Sequence, residues 1–483
     1  MRINFTHFEL PITLDGFGYF LYAQDLSINK SFPVSALANN GWPTFLSIFF
    51  MIFRSDNFLD YMGLQRMITI ILSSITAIPV FFICRKIFDE RYSILGVILF
   101  VFEPRVLQNS GLGITDTLYV FLGANSLLLF LSNNRKANYC AFVLAGFSSL
   151  VRSEGLFFMI PLTIMFLYKI KEEKNRSLKI LFVICIFILS ISPLELVRIE
   201  KIGYDSLFQR VINEGSRLVD SAQPSTESKY VVNFGFRNIE TPIKLIGWAM
   251  IPNFIFLLPI GLYSLFRNTD FVRKTIIFTL IVMMIPAIYA MSWGSDLRYL
   301  LFVYPILCLI SLFTLKKIFQ RFHKELEFLI LFGVIIIMIC FVFTELRSHE
   351  DYHEFEAWNI ARDIFDTNLK INNYGVESGY LRVVALEKSD RFPESSEKMN
   401  FMKIVDLRGL KSSDQLLIFG KKLGLTHLVI DDSNNPKFLD DIYNNELSYP
   451  YLLKIYDSTD HGFTYHVKMF KINYDYETMK LKH

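Results

Sequence analysis

The segment NYCAFVLAGFSSLVRSEGLFFMIPLTIMFLY, residues 138–168, decides the fold class. It is apolar at both ends, is interrupted only by Arg152 and Glu154, and lies between basic stretches at 135–136 and 169–179. Short basic loops stay on the cytoplasmic side of a membrane, so the chain between them must cross an even number of times. These 31 residues are too few for two ordinary spans of about 20. The pattern therefore predicts two short helices that meet at Arg152 and Glu154 inside the outer half of the bilayer; the alternative is one long tilted span.

The composition indicates a membrane protein with many crossings. Hydrophobic residues make up 52% of the 483 residues, phenylalanine occurs 48 times and the mean hydropathy is +0.36. One soluble core could not hide that much apolar surface. The apolar residues also fall into stretches near the thickness of a bilayer, so the sequence predicts a polytopic α-helical membrane protein with about 10 spans.

The remaining spans follow from apolar runs that alternate with polar or basic connections. Besides 138–151 and 154–168, the predicted spans are 64–84, 92–107, 116–132, 178–197, 242–266, 275–292, 299–315 and 326–346. The basic connections place residues 1–63, 108–115 and 198–241 on the outer face. Segment 43–53 is too short to span and is interpreted as a helix lying at the interface. Because the chain then starts outside, we expect a further span upstream of residue 1; the alternative is an N-terminus that crosses the membrane unaided.

The character of the sequence changes after residue 346. We expect residues 1–346 to form the transmembrane domain and residues 347–483, where charges are frequent and long apolar runs stop, to form an extracytoplasmic α/β domain. Apolar periodicity predicts helices at 354–366 and 412–425. The strand-like runs of this domain are 381–387, 426–431, 451–456 and 464–472.

Charge and cysteine usage argue against several functions. The net charge of +3 comes from nearly balanced acidic and basic residues, so no nucleic-acid partner is predicted. The cysteines lie in or at the ends of apolar segments, and no Cys-x-x-Cys or Cys/His spacing exists, so neither a zinc site nor a disulfide framework is predicted. They are Cys84, Cys140, Cys185, Cys308 and Cys340.

The first outer region contains one candidate for acid–base chemistry. Asp15 is followed by Gly16 and Gly18, which allow a ligand to approach the backbone closely, and by Tyr19, which could stack on a sugar. The alternative is an ordinary Asp-Gly turn before an interfacial helix.

Three further outer segments carry charged residues at the ends of predicted spans. Asp116 opens the span 116–132, Arg152 and Glu154 form the hairpin tip, and Arg298 and Tyr299 begin the span 299–315. Each also has a purely structural interpretation: Asp116 suits a helix N-terminus, and Arg298 suits a snorkelling anchor.

The convergence of these residues favours a site over four separate structural roles. All four segments place acidic or guanidinium groups on the same outer face, at the mouth of a helix bundle. Carboxylates suit a general base that activates a hydroxyl, and arginines suit phosphate through bidentate hydrogen bonds. A lipid-phosphate sugar donor requires both chemistries beside an apolar flank.

These motifs, in this order, resemble those of the GT-C integral-membrane glycosyltransferases. The resemblance covers residues 5–315 and is nearest to dolichyl-phosphate-mannose protein mannosyltransferases and lipid A aminoarabinose transferases. The matching stretches are Asp15-Gly-Phe-Gly-Tyr19, Gly41-Trp-Pro-Thr-Phe45, Thr115-Asp116, Gly146-Phe-Ser-Ser-Leu-Val-Arg-Ser-Glu-Gly155 and Arg298-Tyr-Leu-Leu-Phe-Val-Tyr-Pro305. The chain departs from the family in having a single Asp where relatives often have Asp-Glu, and in lacking the first family span.

The resemblance implies a GT-C-like fold and a multi-pass enzyme of the cell membrane with an outward-facing site. It implies transfer of a mannose-like monosaccharide from a polyprenyl- or dolichyl-phosphate donor to a protein or lipid-glycan acceptor. Asp15 and Asp116 would be catalytic. The substrate-binding residues would be Tyr19, Arg152, Glu154, Arg298 and Tyr299. No cofactor besides the lipid-linked donor is expected.

Two other functions stay open on the sequence alone. One is an oligosaccharyltransferase of the same superfamily, which would need a divalent metal. The other is a lipid-glycan transporter or flippase, which would show internal repeats and paired broken helices.

Overall fold

The structure is a computed structural model that describes most of the chain. The described residues are 1–33, 39–203, 240–267, 270–294, 296–348, 352–366, 373–375, 379–388, 392, 403–404, 412–431 and 437–475. They form two compact units. Unit 1 comprises residues 1–7, 34–52 and 63–346, and unit 2 comprises residues 8–33, 53–62 and 347–483.

The helices account for nearly all of unit 1. In chain order the helices of both units are α1 (Leu14–Ser27), α2 (Gly41–Ile52), α3 (Phe58–Ile75), α4 (Ala77–Arg85), α5 (Glu90–Val101), α6 (Pro104–Ser110), α7 (Asp116–Phe130), α8 (Arg135–Val151), α9 (Gly155–Lys169), α10 (Arg176–Ile202), α11 (Leu257–Arg267), α12 (Phe271–Gly294), α13 (Tyr304–Phe319), α14 (Glu325–Ser348), α15 (Tyr352–Asp366), α16 (Gly379–Lys388), α17 (Ser413–Leu423) and α18 (Lys437–Asn444). Residues 240–249 are also helical, and a 3₁₀ helix, Leu297–Val303, leads into α13.

Several helices are long and apolar enough to cross a membrane. Among the described residues these are Phe58–Arg85, Arg176–Lys201, Phe271–Ser292, Leu297–Phe319 and Glu325–Leu346. Shorter apolar helices coincide with other predicted spans, including Asp116–Phe130 and Gly155–Lys169. The chain is therefore a multi-pass α-helical protein, whereas the figure of about 10 spans stays a prediction.

The hairpin predicted from residues 138–168 is present as two helices. α8 ends at Val151 and α9 begins at Gly155. A Cβ atom on Gly155 would lie 2.7 Å from the backbone nitrogen of Ser149, so only glycine allows the chain to turn back this closely on α8. At 1.5 Å per residue, each helix is only about 25 Å long. The short interfacial segment predicted at 43–53 is likewise a helix, α2.

Unit 2 contains a mixed five-stranded sheet. Its strands are β1 (Asn373–Gly375), β2 (Lys403–Ile404), β3 (His427–Asp431), β4 (Leu452–Asp457) and β5 (Val467–Ile472), in the order β2-β1-β3-β5-β4. β1 is parallel to β2 and β3, whereas β5 is antiparallel to β3 and β4. α17 and α18 pack on the sheet through a core that includes Leu416, Leu428, Ile442 and Phe470. Residues after 346 thus contain the expected mixture of helices and strands.

One predicted strand is wrong. Residues 381–387 belong to helix α16, not to the sheet. Leu381, Val384 and Ala385 are buried at helical spacing, and α16 packs on α15, where Tyr380 contacts Trp358 at 5.9 Å between ring centroids. Periodicity alone cannot separate a short apolar run in a strand from one in a helix, so the neighbouring helix decides the outcome here.

The N-terminal helix α1 belongs to unit 2. Phe392 packs its ring near Phe20 of α1 and near Phe58 and Tyr61 of α3, at centroid distances of 6.2, 6.4 and 5.7 Å. The backbone N–H of Ile12 also donates a hydrogen bond to the sulfur of Met62 at 3.2 Å. Unit 2 is therefore assembled from distant parts of the chain. The division into a transmembrane domain, residues 1–346, and an extracytoplasmic domain, residues 347–483, stays a prediction.

Candidate active site at the ends of α7, α8 and α9

The first turn of α7 binds the end of α8 through a buried ion pair. Nη1 of Arg152, the residue that follows α8, donates to Oδ1 of Asp116, the first residue of α7. Nδ2 of Asn109 donates to the other carboxylate oxygen of Asp116 at 3.2 Å. Asp116 is 1% exposed and Arg152 is 6% exposed. A buried carboxylate requires such compensation, so the pair fixes both helix ends.

Arg152 is held by more than one partner. Its Nη2 donates to Oε1 of Glu154 at 2.8 Å, and its guanidinium lies 5.0 Å from the ring centroid of Tyr299. The arginine therefore bridges two carboxylates while its face stacks on an aromatic ring. This arrangement fixes the position of the guanidinium plane, which is the property that a phosphate-binding or charge-stabilising group needs.

The second predicted arginine reaches the same place from the start of the 3₁₀ helix. Arg298 forms an ion pair with Asp296 at 2.8 Å and lies 5.7 Å from the ring centroid of Tyr299. The Asp296 carboxylate also accepts the backbone N–H of Arg298 at 2.9 Å, as a helix N-cap does. The side chain of Arg298 is 27% exposed, so it is more open to solvent than Arg152.

These side chains line one pocket of unit 1. The pocket is narrow and opens to the surface of the unit. Its lining residues are Asp116, Tyr119, Arg152, Glu154, Met283, Pro286, Ala287, Arg298, Tyr299 and Phe302. The structure thus brings together five of the predicted site residues. Two carboxylates and two guanidinium groups face the same space, next to the apolar wall that α12 provides.

Close packing supports the aromatic side of this pocket. Phe302 lies 4.8 Å from Tyr119 between ring centroids, and its ring sits directly over Gly123 of α7. A Cβ atom on Gly123 would clash with that ring, so a larger residue would displace Phe302. The glycine therefore sets how near the 3₁₀ helix comes to α7.

The loop before Asp116 is held in place by α2 and α3. The carbonyl oxygen of Gly113 accepts the indole N–H of Trp42 at 3.1 Å and the amide of Gln65 at 2.6 Å. Gly41 of α2 packs against the backbone at Leu150, where a Cβ atom would lie at only 2.7 Å. α2 consequently contacts both the loop that leads to α7 and the end of α8.

Glu103 and Arg105, which lie at the start of α6, pair with each other. Their side chains lie 2.9 Å apart, and Glu103 caps the N-terminus of α6 by accepting the backbone N–H groups of Arg105 and Val106. Arg105 also donates to the carbonyl oxygen of Trp248 at 2.7 Å. This pair ties α6 to the segment before α11 and needs no catalytic explanation.

Asp15 and Tyr19 lie in unit 2, on α1. The Asp15 side chain is exposed in the first turn of the helix, and Tyr19 is 6% exposed. Their assignment to the pocket of unit 1 stays a prediction.

The loop 198–241, which the sequence predicts on the outer face, falls almost wholly outside the described residues. Only the last turn of α10 and the first residues of the helix 240–249 are described.

Two residues were not predicted from the sequence: Phe302, which lines the pocket, and Asn109, which binds Asp116 without lining it. Asn109 sits in a helix too short to show periodicity, and Phe302 lies within an apolar run that predicts only a span. The recognisable signal for both was indirect. Asn109 follows Arg105 by four positions, and Phe302 follows Arg298 by four positions. Only the fold shows that these two residues lie near Asp116.

Comparisons with known proteins found one family model and several solved structures that resemble this chain. Residues 42–195, which include Asp116, Arg152 and Glu154, match the family model described as dolichyl-phosphate-mannose-protein mannosyltransferase. No curated protein sequence matches the chain significantly.

Solved structures share the fold at low sequence identity. The oligosaccharyltransferase of Archaeoglobus fulgidus, in complex with Zn and sulfate, is 15% identical with a TM-score of 0.56; the match covers 96% of this chain and 70% of that one. ArnT from Cupriavidus metallidurans bound to undecaprenyl phosphate is 11% identical with a TM-score of 0.55; that match covers 97% of this chain and 95% of ArnT. The chain is therefore similar to this mannosyltransferase family over residues 42–195, about a third of its length, and shares the fold of these solved membrane proteins over nearly all of it.

Proposed function

We propose that the chain transfers one mannose-like sugar from a polyprenyl- or dolichyl-phosphate donor to a protein or lipid-glycan acceptor on the outer face of the membrane. The observation that carries this proposal is the position of Arg152, which bridges Asp116 and Glu154 in a pocket that Arg298 and Tyr299 also line. Fixed guanidinium groups next to an apolar wall suit the leaving phosphate of a lipid-linked sugar.

The reaction would be a single inverting displacement. The oxygen of the acceptor hydroxyl forms a bond to the anomeric carbon, and the bond from that carbon to the donor phosphate breaks. The hydroxyl proton passes to Asp15 as general base, and the lipid phosphate leaves with the bonding electron pair. Arg152 and Arg298 stabilise the negative charge that grows on that phosphate, and Tyr19 stacks on a sugar ring.

In this proposal Asp116 acts mainly on Arg152. Its carboxylate accepts from both Arg152 and Asn109, so its lone pairs are already directed at protein donors. A carboxylate in that position orients the arginine and leaves Asp15, on the exposed side of α1, to remove the proton. The expectation from the resemblance that Asp116 is itself catalytic stays a prediction.

Relatives with the same fold support the substrate classes. ArnT has been solved with undecaprenyl phosphate, and the Archaeoglobus oligosaccharyltransferase with an inhibitory peptide and a dolichol-phosphate. Undecaprenyl phosphate and dolichol-phosphate are both lipid phosphates, and the oligosaccharyltransferase structure also contains a peptide. We extend these classes of donor and acceptor to this chain.

The test is direct transfer with purified protein and a panel of lipid-phosphate monosaccharides. We expect one of them to be consumed, and Asp15→Asn to lower turnover at least about a hundredfold, the scale for losing a general base. Asp56→Asn, which changes an exposed carboxylate elsewhere in unit 2, is the matched control and should retain full activity. Normal turnover by Asp15→Asn would contradict the assignment, and consumption of no donor would contradict the reaction.

Oligosaccharide transfer is the second candidate, because the Archaeoglobus oligosaccharyltransferase shares the fold over 96% of this chain. The two reactions differ in donor and in metal requirement. Transfer from a lipid-linked oligosaccharide to a peptide, abolished by a chelator and restored by a divalent cation, would favour this candidate. Monosaccharide transfer that survives the chelator would favour the first.

A further inference from the structure

An apolar groove lies between α5 and α14 of unit 1, and none of its lining residues lines the pocket of the candidate active site. It encloses about 660 Å³, including open space. Its lining residues are Arg91, Ile94, Leu95, Ile98, Leu326, Leu329, Ile330, Gly333, Val334 and Ile337. Apart from Arg91 the walls are aliphatic, so the groove suits a hydrocarbon chain.

The floor of the groove is formed where α14 lacks a side chain. A Cβ atom on Gly333 would lie 3.4 Å from Ile98 and 3.8 Å from Leu95, so a methyl group would fit there and anything larger would start to fill the groove. On either side of this floor, Ile330 is 60% exposed and Val334 is 48% exposed. Over its apolar stretch, α14 is only 22% buried, so the groove opens toward the bilayer.

The groove continues into a polar mouth of about 850 Å³, open space included. Its lining residues are Asp89, Glu90, Arg91, Ile94 and Glu325. Asp89 accepts the backbone N–H of Tyr92, and Glu325 accepts the Tyr92 hydroxyl, so each of these carboxylates has a partner.

The side chains of Glu90 and Arg91, unlike those of Asp89 and Glu325, are available to a ligand. Both side chains are exposed, and within the described part of the chain neither side chain forms a hydrogen bond or an ion pair with another residue. An available carboxylate and an available guanidinium therefore stand side by side above an apolar groove. A ligand that complements them carries an anion and a cation close together on top of an acyl chain.

We propose that this groove binds a zwitterionic phospholipid with a primary ammonium group, such as phosphatidylethanolamine. One acyl chain fills the groove, the phosphate binds Arg91, and the ammonium donates to Glu90. The basic loops at the N-terminal ends of α5 and α14 mark the cytoplasmic side by the positive-inside rule, so the lipid comes from that leaflet. The site is distinct from the glycosyl-transfer pocket and does not depend on the proposed reaction.

Charge and shape select this lipid over other membrane components. Phosphatidylglycerol has no cation for Glu90. Phosphatidylcholine has a quaternary ammonium that cannot donate a hydrogen bond. Undecaprenyl phosphate supplies only negative charge, which the three carboxylates of the mouth oppose.

The experiment is native mass spectrometry of the full-length protein, delipidated in detergent and incubated with equimolar phosphatidylethanolamine, phosphatidylglycerol, phosphatidylcholine and undecaprenyl phosphate. We expect the wild type to retain phosphatidylethanolamine at least about threefold above each of the others, which is the scale of an exposed charge-pair effect. Glu90→Gln should remove the preference over phosphatidylcholine, and Arg91→Ala should lower retention of every phospholipid. Both residues are exposed, so these variants should fold normally.

A pair of neighbouring substitutions tests the groove itself. Val334→Trp would fill it, whereas Ile335→Trp places the same side chain on an exposed position of α14 that does not line it. We expect Val334→Trp to lower retention at least about fivefold and Ile335→Trp to leave it within about twofold. Equal retention by the two variants would overturn the proposal. So would equal or stronger binding of phosphatidylglycerol, phosphatidylcholine or undecaprenyl phosphate by the wild type, or a co-purifying polypeptide that cross-links to position 334.

Discussion

The guanidinium of Arg152 binds the carboxylate of Asp116 across 36 positions of sequence, joining the end of α8 to the start of α7. Both groups are buried, and Glu154 and Asn109 complete their hydrogen bonds. A buried pair of this kind contributes little net stability compared with apolar packing, but losing one member is costly because the other charge is left without compensation. The position of Arg152 in the pocket therefore depends on the correct packing of α7 against α8.

We expect Arg152→Ala to destabilise unit 1 by about 3–5 kcal/mol, the usual cost of breaking a buried pair. Asp116→Asn should destabilise it less, because a neutral amide can still accept from Arg152. The double variant should be more stable than Arg152→Ala alone, since no buried carboxylate is then left unpaired. Thermal unfolding of the four proteins in the same detergent measures this. Additive effects of the two substitutions would show that the residues do not interact.

Tyr299 should affect substrate use through its ring and not through its hydroxyl. Its ring lies 5.0 Å from the guanidinium of Arg152 and 5.7 Å from that of Arg298. Removing the ring in Tyr299→Ala should lower kcat/KM about tenfold, the upper range of a cation–π contact, whereas Tyr299→Phe should stay close to wild type. The measurement is steady-state transfer with the lipid-phosphate donor. An equally large loss in Tyr299→Phe would mean that the hydroxyl is the functional group.

Gly155 should tolerate no side chain. In Gly155→Ala the new methyl group would meet the backbone of Ser149 at 2.7 Å, so α8 and α9 must separate. We expect a loss of about 1–3 kcal/mol, typical of overpacking, together with reduced transfer because Arg152 and Glu154 lie in this turn. Gly247→Ala is the control, since nothing lies within 4 Å of its Cβ position. A Tm for Gly155→Ala equal to that of the control would refute the packing argument.

Unit 2 should lose stability in mild acid through His427. Burial lowers the pKa of His427, and Lys471 on the facing strand lowers it further. The unfolded chain, with a histidine pKa of about 6.5, then takes up a proton before the folded chain does. The stabilisation is complete above that pH and is lost as the pH falls through the folded-state pKa.

Hydrogen exchange of the full-length protein, corrected for intrinsic rates, measures this effect. Protection of β3 and β5 should fall between pH 7 and pH 5 in the wild type and change much less in His427→Gln, whose side chain does not titrate. Protection of α13 in unit 1 serves as the internal reference. The same pH dependence in both proteins would assign the effect to another group.

The hairpin was predictable because its signal is strong. Two charged residues inside an apolar stretch are costly in a membrane, so Arg152 and Glu154 had to lie at a break between helices. The order of charged outer residues also predicted that Asp116, Arg152 and Arg298 would face one pocket. The sequence gives no comparable signal for Asn109 or Phe302, because their roles depend on which faces of α6 and the 3₁₀ helix turn toward Asp116.

The sequence was least informative where packing overrides local preference. Residues 381–387 alternate enough to suggest a strand, yet they form α16 because Leu381 and Val384 bury themselves against α15. The strands β1 and β2 are too short to show alternation at all. The membership of α1 in unit 2 depends on Phe392, which is more than 370 positions away from Phe20 in the chain and leaves no local pattern.

The packing of Phe392 near Phe20 of α1 has a consequence for biosynthesis. While the ribosome is still making the membrane helices, the helix bearing Asp15 has none of the aromatic partner that Phe392 later supplies. The contact with Phe392 can form only after the last apolar helix, α14, and a further stretch of chain have been synthesised. A nascent chain that stops before residue 392 would carry every arginine of the pocket and still lack the ring that packs near Phe20, so this contact joins the two ends of the chain only late in synthesis.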